Sequence, residues 1–135
     1  MQILNKTPAT NHERDLLSLA YINLGSTYAG DFNDPQKAED YYQRALAVAE
    51  ALVADHPDYR TGWVRLAAAN REIADVRYSQ GDYQAALVHF RTCLRVVREG
   101  TAKLTDAQIR GAEPFYMLRV ADSCTAPVIP LRPDK

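Results

Sequence analysis

The residues best suited to chemistry in this chain are three histidines, His12, His56 and His89, and none has a second histidine four residues away. The chain also lacks the HExxH, GxSxG and P-loop motifs. Zinc hydrolysis, serine-type nucleophilic attack and phosphate transfer therefore lack their usual residues. The sequence predicts a protein that is not an enzyme, with no catalytic residues, no metal site and no cofactor.

Composition and charge exclude further classes. The 135 residues are 47% hydrophobic and 24% charged, with a formal net charge of -1, which is typical of one soluble globular domain. This charge gives no bulk electrostatic reason to expect nucleic acid or a membrane surface as a partner. Arg91, Arg95 and Arg98 fall on one side of a predicted helix; an anion-binding stripe and a solvated outer face both fit, and we favour the outer face.

The two cysteines, Cys93 and Cys124, are far apart and do not form a CxxC motif. This spacing implies neither a disulfide framework nor a zinc site, and a reducing cytoplasm is the expected compartment. The start of the chain lacks the apolar run of a signal peptide, and no apolar stretch is long enough to span a membrane.

Local signals divide the chain into helices. Thr10 or Asn11 can cap the first helix, Gly30 ends it, and Asp34-Pro35 starts the next. Leu16, Leu17, Ala20, Tyr21, Leu24 and Tyr28 are predicted to form the inward face of the first helix. The predicted helices span about 10–30, 35–55, 58–79 and 82–99.

The first two helices carry a recurrent spacing of small and aromatic residues. Tyr21, Leu24, Gly25 and Tyr28 fit the pattern aromatic-x2-Leu-Gly-x2-Tyr, and the second helix supplies Ala38, Tyr42 and Ala45. Small residues at Gly25 and Ala38 let two helices approach closely, and the tyrosines fill the space around them. This spacing resembles that of a tetratricopeptide repeat (TPR).

The chain also repeats itself. Ala86, Phe90, Cys93 and Leu94 follow Ala38, Tyr42, Ala45 and Leu46 at a constant offset of 48 residues. An ordinary repeat has about 34 residues, so the offset is longer by about four helical turns. We expect each helix to be longer by about two turns at the end where the second helix meets the third, with Trp63 packing in that extension.

The resemblance implies an all-α fold in which antiparallel helix hairpins stack as a short right-handed α-solenoid, with two TPR-like repeats and a C-terminal capping helix over 105–122. The expected domains are a flexible lead-in over 1–9, a helical domain over 10–122 and an extended or disordered tail over 123–135. The lengthened repeats are similar to TPR segments of large bacterial signalling proteins, notably those that follow a serine/threonine kinase domain.

The resemblance also implies how a partner would be bound. In TPR proteins the groove between the first helices of successive repeats usually binds a peptide or helix of another protein. Ser26 and Asp75 stand where chaperone-binding TPR proteins have an asparagine, which disfavours binding of a chaperone tail. The predicted partner-binding residues are Ile22, Ser26, Ala29, Ala68, Arg71, Asp75 and Tyr78.

Two other roles remain open. Because two repeats are fewer than the three usually needed for stability, the hairpins could stack on a second copy as a homo-oligomer, or serve as a scaffolding segment of a larger signalling protein. Arg71 and Asp75 could also simply neutralise each other on the surface.

Overall fold

The computed structural model describes residues 9–103, and within this range the chain forms four α-helices. Each helix packs against the next one in the chain, and α1 also contacts α3. This is the arrangement of an all-α helical-repeat solenoid. The predicted capping helix over 105–122 and the predicted tail lie outside the described residues. The helices are α1 (Asn11–Gly30), α2 (Pro35–Asp55), α3 (Arg60–Ser79) and α4 (Tyr83–Lys103).

The helix boundaries follow from their capping residues. Thr10 and Glu13 form a capping box, in which each side chain accepts a hydrogen bond from the other residue's backbone N–H, at 3.1 and 2.9 Å. Asp34 caps α2 by accepting from the Lys37 backbone N–H at 3.1 Å. Between α3 and α4, Gly81 adopts a φ of +81°, a conformation that favours glycine. These local interactions start and stop the helices close to the predicted positions.

Close contact between small and aromatic residues holds each hairpin together. A Cβ atom at Gly25 would stand 2.5 Å from Tyr42 Cε1, so only glycine fits there without a shift. In the second hairpin, Ala74 packs with Ala86 and Phe90 in one buried cluster. The two hairpins are therefore built on the same scheme, with alanine replacing glycine in the second.

The extended end of the domain, where α2 leads into α3, has its own core. Trp63 is buried there in a cluster with Ala49, Val96 and Val97. Its indole Nε1–H donates a hydrogen bond to the carbonyl of Pro57 at 2.8 Å. The indole therefore fills the added length of the repeat, as predicted.

The inward face of α1 differs from the predicted one. Leu16, Leu17 and Leu24 are 48%, 45% and 43% exposed. The buried positions of α1 are Asp15, Ser18, Ile22 and Gly25. The helix is rotated relative to the prediction because α2 and α3 both pack on one side of it, and among the described residues no helix covers the other side.

Two further observations concern predicted properties. The sulfur of the buried Cys93 belongs to a disulfide bond, which the spacing of the cysteines did not indicate. Because Cys93 is disulfide-bonded, the cysteines no longer support the expectation of a reducing compartment.

Within residues 9–103, no helix combines the length and the apolar composition that are needed to span a bilayer.

Candidate functional site

An open pocket of about 370 Å³ lies between α1 and α3, near the C-terminal ends of both helices. We call it the α1–α3 pocket. Its position corresponds to the groove between the first helices of the two repeats. It is lined by Ser26, Ala29, Gly30, Tyr42, Glu72, Asp75, Val76 and Ser79.

Tyr42 reaches the pocket from α2. Its side chain is only 1% exposed, and its hydroxyl lies 3.1 Å from Ser26 Oγ. The absence of a side chain at Gly25 makes room for the ring to pass between the helices. Burial raises the pKa of the Tyr42 hydroxyl, so this group stays protonated at neutral pH and acts as a hydrogen-bonding group.

The rim on α3 is charged. Arg71 forms ion pairs with the carboxylates of Glu72 and Asp75, at 2.5 and 3.1 Å. Burial raises the pKa of the Asp75 carboxyl, and the attraction of Arg71 acts in the opposite direction. Two carboxylates thus face one guanidinium, and the rim has a net negative charge.

Three of the seven predicted partner-binding residues line this pocket: Ser26, Ala29 and Asp75. Arg71 lies beside them through its contact with Asp75. These four residues from α1 and α3 therefore lie close together.

The other three predicted residues lie elsewhere. Ile22 is 7% exposed and belongs to the core between α1, α2 and α3, so it does not line the pocket. Ala68 is half-buried and packs on that same core. Tyr78 is half-buried against the core of the second hairpin, with its ring centroid 5.1 Å from that of Tyr83.

The sequence prediction missed five of the eight lining residues, and on α3 it placed the stripe that faces the pocket one residue too early. The predicted stripe was 68, 71, 75 and 78, whereas the pocket is lined by 72, 75, 76 and 79. Both stripes have helical spacing and share Asp75. Asn70 of α3 is buried, and its Oδ1 lies 3.1 Å from His89 Nδ1 of α4, a contact that periodicity alone did not reveal.

The Ser26 hydroxyl at the pocket has a side-chain partner. Its Oγ lies 3.1 Å from the hydroxyl of Tyr42, within hydrogen-bonding distance. His89 is bonded to Asn70, a residue that does not line the pocket. Carboxylates, hydroxyls and apolar side chains line the pocket together, a combination that is typical of ligand sites.

A second, smaller pocket of about 220 Å³ is lined by polar residues of α2 and α3, including Glu39 and Arg77. Arg77 donates two hydrogen bonds to the Glu39 carboxylate, at 2.9 and 2.7 Å. It stands where the first repeat has Tyr28. This pocket is smaller than the α1–α3 pocket, and it does not lie between the first helices of the two repeats, so it is a weaker candidate.

Neither the curated proteins nor the solved structures include a match to this chain. Residues 18–58, which comprise most of α1, all of α2 and the turn that follows, match the family model described as a tetratricopeptide repeat, so the first hairpin is similar to that repeat.

Proposed function

We propose that this chain is a non-catalytic protein-interaction module that binds a peptide or helix of a partner protein in the groove between α1 and α3. Tetratricopeptide repeats generally mediate protein–protein interaction, and the match over residues 18–58 supports this role. The observation that carries the proposal is the open pocket between the first helices of the two repeats, lined by Ser26, Ala29 and Asp75.

A substitution that fills the pocket tests whether peptides bind in the groove. Gly30 lines the pocket, and a Cβ atom added there meets nothing within 4 Å, so Gly30→Phe adds a ring at the pocket without displacing the backbone. Gln84→Phe on the exposed surface of α4 is the matched control. Linear peptides are selected from a displayed random library on the unmodified protein, and their affinities are then measured for both variants.

We expect Gly30→Phe to weaken the selected peptides by at least about tenfold, which corresponds to about 1.4 kcal/mol, and Gln84→Phe to leave them unchanged. If the selected peptides bound the unmodified protein and Gly30→Phe with equal affinity, the groove would not be their binding site.

The second candidate function is structural, namely self-assembly or scaffolding within a larger signalling protein. The exposed Leu16, Leu17 and Leu24 on one side of α1 favour it, because contiguous exposed apolar residues often mark protein-binding surfaces. Light scattering of the unmodified protein and of Leu17→Lys combined with Leu24→Lys separates the two functions. A dimer that dissociates in this variant supports assembly, and a monomer in both supports recognition in the groove.

A further inference from the structure

We propose that the α1–α3 pocket receives a basic side chain, arginine or lysine, from the bound partner peptide. This inference rests on the proposed function and deepens it, because it names the chemistry by which the groove selects its ligand. It is carried by the composition of the pocket and by the contacts of Arg71.

The pocket contains hydrogen-bond acceptors together with an apolar wall. Glu72 and Asp75 supply carboxylates, and the hydroxyls of Ser26 and Ser79 supply further acceptor lone pairs. Ser79 already donates its own hydrogen to the Val76 carbonyl at 2.7 Å. A guanidinium or ammonium group only donates hydrogen bonds, so it complements this set of groups.

The remaining lining suits the stem of such a side chain. Ala29 and Val76 face the pocket from α1 and α3, with Gly30 beside them. The aliphatic stems of lysine and arginine pack along apolar surface while the charged end reaches a polar environment. A purely apolar side chain would use only the apolar wall, and a short acidic side chain would use neither feature.

Arg71 shows that these carboxylates accept a guanidinium, because its two terminal nitrogens contact Glu72 and Asp75 at 2.5 and 3.1 Å. One cation does not balance two carboxylates. Burial raises the pKa of the Asp75 carboxyl, and the charge of Arg71 offsets this only in part, so a further positive charge nearby would favour the ionised form. A second cation from the ligand would supply the missing charge.

The same geometry disfavours an anionic ligand. A phosphate or a peptide's terminal carboxylate placed in the pocket would approach two carboxylates, and the one guanidinium nearby is already paired with both. Like charges at short range repel one another and cost binding free energy. The pocket is therefore opposite in charge to a site for an acidic peptide.

The test uses small probes and the whole chain. N-acetyl-arginine amide, N-acetyl-lysine amide and the neutral isostere N-acetyl-citrulline amide are titrated into isotope-labelled protein, and backbone amide shifts are followed by NMR. We expect saturable shifts at residues 26–30 and 72–79 with a basic probe, and affinity for citrulline at least about tenfold weaker, as expected for loss of a charge-assisted hydrogen bond. Equal affinity for the arginine, lysine and citrulline probes would overturn the proposal.

Two variants test the charges directly. Asp75→Asn removes one carboxylate and is expected to weaken the basic probes by at least about tenfold. Arg71→Met removes the competing cation and is expected to strengthen them by at least about threefold, since the two carboxylates are then left without their intramolecular partner. Arg95→Met on α4, whose partner Glu99 is exposed, is the control and should change nothing. An unchanged affinity in Asp75→Asn, or an unchanged or weaker one in Arg71→Met, would contradict the inference.

The outcomes separate this inference from the proposed function. If the basic probes fail but Gly30→Phe still weakens the selected peptides, the groove binds partners through other chemistry. If Gly30→Phe also has no effect, the groove itself is excluded.

Discussion

Gly25 lies directly against Tyr42, so that a Cβ atom at position 25 would approach Tyr42 Cε1 to 2.5 Å and Cδ1 to 2.7 Å. Tyr42 is buried and its hydroxyl is held by Ser26, so the ring has little freedom to move away. We expect Gly25→Ala to lower the free energy of unfolding by about 1–3 kcal/mol, the usual cost of overpacking a core. Chemical denaturation followed by circular dichroism measures this change.

Gly30 provides the matched control for that experiment. It ends the same helix, and an added Cβ there meets nothing within 4 Å. We expect Gly30→Ala to be neutral or to raise the free energy of unfolding by up to about 1 kcal/mol, because alanine loses less conformational entropy in a helix. Equal destabilisation by both substitutions would show that the contact with Tyr42 is not the cause.

The contact between Gly25 and the second helix could be predicted from the sequence because it depends on residue size at fixed spacing. The helix boundaries could be predicted equally well, since Thr10, Asp34 and Gly81 act on their immediate neighbours in the chain. Both kinds of inference use local chemistry, which the sequence contains in full.

The orientation of α1 could not be predicted in the same way. The leucines of α1 have helical spacing, yet Leu16, Leu17 and Leu24 are exposed because α2 and α3 pack against the side that carries Asp15 and Ser18. Asp15 was not predicted to be buried, because its partner Arg65 is 50 residues away in the sequence. Because such contacts between distant residues cannot be read from periodicity, the predicted binding stripe of α3 was also displaced by one residue.

The ion pair between Asp15 and Arg65 joins α1 to α3, with Arg65 Nε 2.6 Å from Asp15 Oδ1. The Asp15 side chain is 8% exposed and that of Arg65 19%. We expect Arg65→Met to lower the free energy of unfolding by about 3 kcal/mol, because it leaves a buried carboxylate without its partner. Combining it with Asp15→Asn should recover part of this loss, and thermal unfolding of the four proteins in the cycle measures the coupling.

The pair between Arg95 and Glu99 is the control for that cycle. Its atoms are 3.5 Å apart, and the two side chains are 58% and 49% exposed. Removing either partner should change the free energy of unfolding by less than about 1 kcal/mol, as for other exposed pairs. A coupling between Asp15 and Arg65 as small as this would contradict the role assigned to the buried pair.

The half-buried His89 should make stability depend on pH. Its Nδ1 lies 3.1 Å from Asn70 Oδ1; burial lowers its pKa, the charge of Glu39 raises it, and that of Arg77 lowers it. The unfolded chain, with a histidine pKa of about 6.5, therefore binds a proton at higher pH than the folded protein does. The stabilisation from neutral His89 is complete above about pH 6.5 and is lost as the pH falls through the lower folded-state pKa.

We therefore expect the denaturation midpoint to fall between about pH 7 and pH 5, and to fall less steeply in His89→Gln. His12→Gln, at an exposed position of α1, is the matched control and should keep the slope of the unmodified protein. Equal slopes for the unmodified protein and His89→Gln would exclude His89 as the source of the pH dependence.

Gly100 and Trp63 form the corresponding close contact at the extended end, where an added Cβ would lie 2.9 Å from Trp63 Cγ. The indole cannot swing away without breaking its hydrogen bond to Pro57. We expect Gly100→Ala to lower the free energy of unfolding by about 1–3 kcal/mol, measured by circular dichroism. In a Trp63→Ala background the ring atoms that the added Cβ would meet are absent, so the same substitution should cost less. An equal cost in both backgrounds would mean that Gly100 is required for a reason other than its contact with Trp63.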